Sequence, residues 1–167
     1  VKNLDGYCGY AEFGEGELYI GVISHVDIAP EGEMWAVPPF EGRIVNNRIY
    51  GRGAMDNKGP LMAALFALKA VKDRGRKLNK KVRLIIGTDE QRYFEDMAHY
   101  LAREAPPIAG FTLDGQFPLV YAEKGLAMME YRTRITQSGV DKVTYITGGS
   151  RDNAVPGDCE ALLITKD

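Results

Sequence analysis

Short apolar runs alternate with glycine-rich turns along the first part of the chain. The runs GYCGYAEF and ELYIGVIS flank the turn-like GEGE, which predicts a hairpin whose second arm is buried on both faces. The stretch GRIVNNRIYGRG predicts a smaller hairpin that turns at Asn46 and Asn47, because asparagine tolerates the left-handed conformation of tight turns. The chain is therefore expected to begin with strands.

The next pattern has the period of a helix. Leu61, Leu65 and Leu68 lie on one stripe, and Pro60 suits a first helical position. The apolar run KVRLIIG follows a basic connection and predicts a buried strand. This succession of helix and strand is typical of an α/β fold.

A second helix and a further strand continue this succession. In YFEDMAHYLARE the apolar residues Phe94, Met97, Ala98 and Leu101 have amphipathic helical spacing, and two prolines soon after end the helix. The run GFTLD then predicts a short strand. The order of elements predicts an α/β fold with a mixed, largely parallel sheet flanked by helices. From about Gly125 onward the strand-like runs lack intervening helices, which predicts a second, strand-rich segment.

Side chains with metal-binding chemistry follow three of these predicted strands. His25 and Asp27 come after one run, Glu90 after the next and Asp114 after the third. Because the carboxyl ends of parallel strands line one edge of a sheet, these side chains are expected to meet there. Asp56 lies just before the first predicted helix and can reach the same edge. Histidine nitrogen and carboxylate oxygen are zinc ligands, so this edge is a predicted metal site.

The same residues suit metal-assisted hydrolysis. Asp27 can hold the second nitrogen of the His25 ring and thereby fix its tautomer. A carboxylate can bridge two ions about 3.5–4 Å apart, and such ions lower the pKa of a bound water to roughly 7. Glu90 is placed to take that proton as a general base. Purely structural roles stay open for the same residues. His25 and Asp27 can form a buried hydrogen-bonded pair, Glu90 can be a surface residue, and Asp114 can cap a turn.

Composition and charge narrow the class of partner. The 167 residues are 45% hydrophobic and 26% charged, which is typical of a globular protein. A formal net charge of -2 argues against nucleic acid and favours a small-molecule partner. No apolar run is long enough to span a bilayer, so the sequence predicts no membrane partner and a cytoplasmic location. Cys8 and Cys159 are expected to be unpaired thiols. The glycine-rich GRGAMDNKG lacks the spacing of a phosphate-binding loop.

Longer motifs carry a resemblance to a known family. The stretch SHVDIAPEGEMWAVPPFEGRIVNNRIYGRGAMDNKGPLMAALFALKAVKD, followed by IIGTDE, TLDGQFP and EKG, resembles the co-catalytic zinc peptidases that include carboxypeptidase G, aminoacylase and succinyl-diaminopimelate desuccinylase. It is most similar to their PepV-type Xaa-His dipeptidases. The resemblance implies part of a zinc-exopeptidase-like catalytic domain over residues 1–124 and the start of a lid domain over residues 125–167. Since the chain begins and ends in strand-like runs, it is expected to be a fragment.

The resemblance also implies a role for each candidate residue. Its motifs imply a first metal, a second metal that shares one bridging carboxylate with the first, and a general base. A cis peptide bond is implied after the bridging aspartate. The roles implied are metal ligands for His25 and Asp114, the bridging ligand for Asp56, the general base for Glu90 and the histidine clamp for Asp27.

The remaining implications concern the substrate and the second metal. Asn153, in the lid-like stretch GGSRDNAVPGDCEA, is implied to contact the substrate. The family has a glutamate at the position of Gln91, and an amide is a weaker zinc ligand than a carboxylate. The family's C-terminal histidine has no counterpart here, because His99 lies inside a predicted helix. The chain is therefore expected to hold at most one zinc firmly, with manganese or cobalt as alternatives.

Two functions from different classes follow. The first is metal-dependent hydrolysis of dipeptides or N-acyl amino acids, with a small peptide as substrate. The second is a catalytically impaired or truncated relative that acts as a non-catalytic binding or structural protein. The sequence makes no prediction about oligomeric state.

Overall fold

The computed structural model of the protein describes residues 1–116, 118–125, 127–132, 142–149 and 155–165. The chain divides into two compact units, Val1–Val120 and Tyr121–Asp167. The first unit contains a five-stranded sheet, a two-stranded hairpin and two helices, and the second contains a pair of strands. The elements in chain order are β1 (Lys2–Leu4), β2 (Cys8–Phe13), β3 (Tyr19–His25), β4 (Arg43–Val45), β5 (Arg48–Tyr50), α1 (Gly59–Asp73), β6 (Lys81–Gly87), α2 (Glu95–Leu101), β7 (Ala109–Thr112), β8 (Lys142–Gly148) and β9 (Cys159–Ile164).

The five-stranded sheet is mixed. Its strand order is β1, β2, β6, β3, β7. Strand β3 runs parallel to both of its neighbours, β6 and β7, whereas β2 is antiparallel to β1 and β6. The predicted α/β class with a mixed sheet is confirmed. In the parallel part, His25 at the end of β3 is paired with Gly87 at the end of β6, so the residues that follow these strands leave the sheet at the same edge.

The predicted hairpin of β2 and β3 is wrong. Strand β6 lies between these strands and pairs with both of them. Because β3 is buried along most of its length, its backbone groups need partners on both edges, and two strands from later in the chain supply them. The second hairpin is present: β4 pairs with β5, and Asn46 and Asn47 have φ values of 49° and 60°.

The two helices pack against opposite faces of the sheet. Leu84 of β6 lies in one apolar cluster with Val22 and with Leu61 of α1. The next residue, Ile85, lies in the other cluster with Tyr100 of α2. Leu84 and Ile85 are 0% and 1% exposed, as expected for neighbouring residues of a strand that is covered on both faces. The buried sheet provides a rigid base for the residues at its carboxyl edge.

The predicted apolar face of the second helix is wrong in part. Helix α2 is present, but Phe94 precedes it and is exposed, and Leu101 is exposed as well. The helix instead buries Asp96 and Tyr100. Both are polar groups with hydrogen-bond partners, which makes their burial energetically acceptable.

Arg83 of β6 forms a buried ionic network on the α2 face of the sheet. Its guanidinium donates to Glu12 at 2.8 and 3.0 Å and to Glu104 at 2.9 Å. It also lies 3.8 Å from the centroid of the Tyr10 ring. Burial raises the pKa of Glu12, but the hydrogen bond and charge of Arg83 outweigh it, so this pKa is lowered. Hydrogen bonds from Lys2 and Arg83 lower the pKa of Glu104.

Replacing Arg83 by methionine is expected to lower the free energy of unfolding at pH 7 by roughly 1–3 kcal/mol, because Glu12 and Glu104 each lose one cationic partner and keep only Lys81 and Lys2. Since both carboxylates have lowered pKa values in the fold, the pairing stabilises the protein at pH values above the ordinary pKa of 4.5 and is lost as the pH falls below it. Urea unfolding at several pH values checks this, with the exposed Arg76→Met as the control. A stability difference that stays constant down to pH 3 would contradict it.

In the second unit, β8 and β9 form an antiparallel pair in which Lys142 lies opposite Ile164. These strands agree with the strand-rich segment predicted after the sheet. Among the described residues, no helix has the length and apolar character required to cross a bilayer.

Candidate metal centre

The candidate site lies at the carboxyl edge of the parallel part of the sheet. His25 is the last residue of β3, while Glu90 and Asp114 lie in the segments that follow β6 and β7. Asp56 comes from the irregular turn Ala54–Lys58 that leads into α1. The structure thus brings these four predicted residues together. Their roles in metal binding and proton transfer stay predictions.

The turn that carries Asp56 has an unusual backbone. Gly53, just before it, has a φ of 78°, and a Cβ at this position would lie 2.5 Å from Cγ2 of Ile28, so a side chain cannot be accommodated. The peptide bond between Asp56 and Asn57 is cis, as the family resemblance implies. The turn directs the Asp56 carboxylate towards the His25 ring and buries the Asn57 side chain.

Three carboxylates surround one nitrogen of the His25 ring. His25 Nε2 lies 3.1 Å from Asp56 Oδ1, 3.2 Å from Asp114 Oδ2 and 3.6 Å from Glu90 Oε2. Tetrahedral zinc with bonds of about 2.0–2.2 Å holds its ligand atoms about 3.4 Å apart, which is close to these separations. One ligand atom from each of His25, Asp56 and Asp114 lies within 4.8 Å of the others. The geometry of these three residues fits a single divalent cation.

Asp27 sets the direction of the His25 ring. The ring is 3% exposed, and its Nδ1 lies 3.1 Å from Asp27 Oδ1. Of the two neutral tautomers, the one with its proton on Nδ1 would donate to this carboxylate and present the Nε2 lone pair to the acidic cluster, as a metal ligand requires. Asp27 also accepts hydrogen bonds from the backbone N–H groups of Glu90 at 3.3 Å and Gln91 at 2.9 Å. One carboxylate therefore positions both the histidine and the loop that carries Glu90.

The site concentrates negative charge. Burial lowers the pKa of His25, but the charges of Glu90, Asp27, Asp114 and Asp56 outweigh it, so this pKa is raised. Burial and the charges of the neighbouring aspartates raise the pKa of Glu90, and His25 opposes this shift. Several carboxylates around one imidazole repel each other, and a divalent cation between them would relieve that repulsion.

Asn57 holds the Asp114 carboxylate and is itself held by Ser24, a function that the sequence pattern did not predict. Asn57 Nδ2 donates to Asp114 Oδ1 at 2.8 Å, while Asp114 Oδ2 faces His25. Ser24 donates in turn to Oδ1 of Asn57. Asn57 and Ser24 are 1% and 3% exposed. The only indication of this role in the sequence is position: Ser24 precedes the candidate ligand His25, and Asn57 follows the candidate ligand Asp56.

Replacing Asn57 by alanine is expected to weaken divalent metal binding by about 10- to 100-fold, because Asp114 loses the partner that orients it. Competition with a chromogenic chelator measures this affinity. The exposed Asn79→Ala is the matched control and should bind metal as the wild type does. Equal affinity in the Asn57 and Asn79 variants would show that the hydrogen bond does not orient a ligand.

The remaining candidates have different surroundings. Gln91 Nε2 lies 2.8 Å from Glu90 Oε2 and 3.3 Å from Asp56 Oδ2, so its amide contacts two residues of the cluster. His99, the histidine inside the second predicted helix, stacks on Tyr7 at 4.3 Å between ring centroids and pairs with Asp5. Asn153 lies outside the described residues.

Comparisons with known proteins show which family the chain resembles. The profile of peptidase family M20/M25/M40 matches residues 21–130. The chain is similar to YtjP of Bacillus subtilis, a protein provisionally named a dipeptidase. The two sequences are 45% identical, and the match covers 98% of this chain and 36% of YtjP. A Staphylococcus aureus protein with the same kind of name is 32% identical over 100% of this chain and 36% of its own length.

A solved structure extends the comparison to the fold. An M20 family metallo-carboxypeptidase from Sulfolobus solfataricus has a TM-score of 0.54 and 30% identity, covering 65% of this chain and 26% of that one. The present chain spans 36% of the length of the curated relatives it matches.

Proposed function

The chain belongs to peptidase family M20/M25/M40, and on this premise we propose that it carries the metal-binding part of the active centre of a metal-dependent dipeptidase. The proposed substrates are dipeptides or N-acyl amino acids, and the dipeptidase names of the relatives support the first class. The observation that carries the proposal is the approach of three carboxylates to His25 Nε2 within 3.1–3.6 Å.

The proposed metal is zinc, with manganese or cobalt as alternatives. One imidazole nitrogen and carboxylate oxygens form a donor set that suits zinc, and His25, Asp56 and Asp114 would hold the ion. When bound, the ion would lower the pKa of a water molecule to roughly 7 and polarise the scissile carbonyl. Gln91 is proposed as a weak ligand for a second ion, since an amide oxygen brings no charge.

Glu90 is the proposed general base. Its carboxylate is half-buried beside the His25 ring, where it can take a proton from the attacking water and deliver it to the leaving amine. Asp27 supports this transfer because it holds the backbone N–H groups of Glu90 and Gln91. Asn153 is proposed to contact the substrate.

The proposal also covers the domain organisation, the substrate and the location of the reaction. Residues 1–124 would form part of the catalytic domain, and residues 125–167 would begin the lid. The substrate would be a small peptide, and the reaction would take place in the cytoplasm. The unpaired Cys8 and Cys159 are compatible with a reducing compartment.

Metal analysis and a peptidase assay on the complete natural chain test the proposal together. We expect at least one divalent ion per chain, and hydrolysis of a panel of dipeptides and N-acyl amino acids that a chelator abolishes. Zinc, manganese or cobalt should restore the activity of the chelated protein. Failure to hydrolyse any member of the panel with any of these metals would contradict the proposal and leave a non-catalytic binding role.

A further inference from the structure

Helix α2 contributes a buried carboxylate close to the candidate site. Asp96 is 1% exposed, although it lies on the helix face that the sequence pattern assigns to solvent. Its Oδ2 accepts hydrogen bonds from the backbone N–H groups of Thr88 at 2.6 Å and Asp89 at 3.0 Å. Its Oδ1 lies 2.7 Å from the N–H of Met97. A buried carboxylate is costly unless such hydrogen bonds satisfy it, so its position is closely defined.

The N–H groups that Asp96 binds belong to the loop that carries Glu90. Asp96 binds the N–H groups of residues 88 and 89, and Asp27 binds those of residues 90 and 91. Four consecutive N–H groups therefore point to two carboxylates on different elements, α2 and the segment after β3. We call residues 88–91 the base loop. Held from both sides, its backbone has little freedom to shift the Glu90 side chain.

The end of β6 is shaped to admit the Asp96 carboxylate. A Cβ at Gly87 would lie 2.5 Å from Asp96 Oδ2, closer than real Cβ atoms approach an oxygen. Only glycine at position 87 allows this carboxylate to reach the N–H groups at the start of the base loop. Asp89 secures the other end of the connection, because its Oδ2 accepts the N–H of Glu95 at 3.1 Å.

We propose that Asp96 is a positioning residue, which together with Asp27 clamps the base loop and holds Glu90 beside the proposed metal ligands, where it can exchange a proton with the attacking water. This inference rests on the proposed function for its catalytic consequence, while the clamp itself rests on the hydrogen bonds alone. Displacement of a catalytic group by about 1 Å can lower the rate by roughly 10²-fold, so a loosened loop would act on kcat.

Amide hydrogen exchange tests the clamp directly. We expect the four base-loop amides of the wild type to exchange about 100-fold more slowly than those of the exposed turn at Asn46 and Asn47. Protection of the base loop should fall in Asp96→Asn, which places an amide against the Met97 N–H, and fall further in Asp96→Ala. The exposed Asp73→Asn, at the end of α1, is the matched control. Base-loop amides that exchange as fast as the turn in the wild type would overturn the proposal, even if neither Asp96 variant folds.

Steady-state kinetics tests whether the clamp affects catalysis. In the complete natural chain, Asp96→Asn is expected to lower kcat by about 10- to 100-fold with little change in KM. Its metal affinity should match that of the wild type, because His25, Asp56 and Asp114 lie on other elements. A folded variant with lowered protection and unchanged kcat would overturn the positioning role. A wild type without peptidase activity would instead contradict the proposed function, and the exchange experiment would still decide whether the clamp exists.

Discussion

Replacement of Glu90 by glutamine is expected to lower kcat for dipeptide hydrolysis by about 10²- to 10⁴-fold, the range that general acid–base catalysis contributes. Glutamine has nearly the same size as glutamate and keeps an oxygen near His25, but it cannot accept a proton at neutral pH. Metal affinity should change little, since the proposed ligands are other residues. Steady-state kinetics with a saturating metal concentration, together with chelator competition, measures both quantities.

The matched control for this variant is Glu95→Gln, which removes the same charge five residues away at the exposed start of α2. It should retain the wild-type kcat, so that a loss in Glu90→Gln cannot be assigned to net charge. An active Glu90→Gln protein with bound metal would remove Glu90 from the role of general base.

Replacement of His25 by alanine is expected to weaken divalent metal binding by more than about 10²-fold, beyond the range typical of residues that only orient a ligand. The loss should be large because Nε2 is the only proposed nitrogen ligand and the carboxylates around it then face each other without an imidazole. Isothermal titration with zinc, checked with manganese and cobalt, gives the affinity.

The other histidine of the chain provides a direct comparison. His99 is paired with Asp5 and stacked on Tyr7, away from the proposed ligands. His99→Ala should therefore bind metal as tightly as the wild type, although it loses these contacts. Similar losses of affinity in the two histidine variants would contradict the assignment of His25.

The location of the site could be predicted because it follows from a rule about parallel sheets. His25, Glu90 and Asp114 each come after a strand of the parallel part, and carboxyl ends of parallel strands share an edge. To predict the location of the site, only these strands had to be recognised, and each of them is a clear apolar run in the sequence. Asp56 could be placed near the same edge because it precedes the first predicted helix, and the family resemblance then implied its bridging role.

Strand pairing could not be predicted in the same way. The apolar runs of β2 and β3 are separated by a short turn, which favours a hairpin, but β6 lies between them. Periodicity reports which residues of a strand are buried and carries no information on which distant strand completes its hydrogen bonds. The strand β6 follows more than fifty residues after β3, so the correct order depends on long-range contacts.

The hydrophobic pattern also did not predict which polar residues are buried. Asp96 and Arg83 are 1% and 6% exposed, although aspartate and arginine are almost always on the surface unless they are paired. Their burial depends on partners from other elements: backbone N–H groups of the base loop for Asp96, and Glu12 and Glu104 for Arg83. No local sequence signal shows that such partners exist.

An anomalous-difference map at the zinc edge, from crystals of the protein grown with zinc, tests the proposed metal centre most directly. We expect a peak within about 2.0–2.2 Å of His25 Nε2 and of one carboxylate oxygen each from Asp56 and Asp114. A map in which the zinc lies elsewhere, or in which these three side chains bind none, would contradict the proposed metal centre.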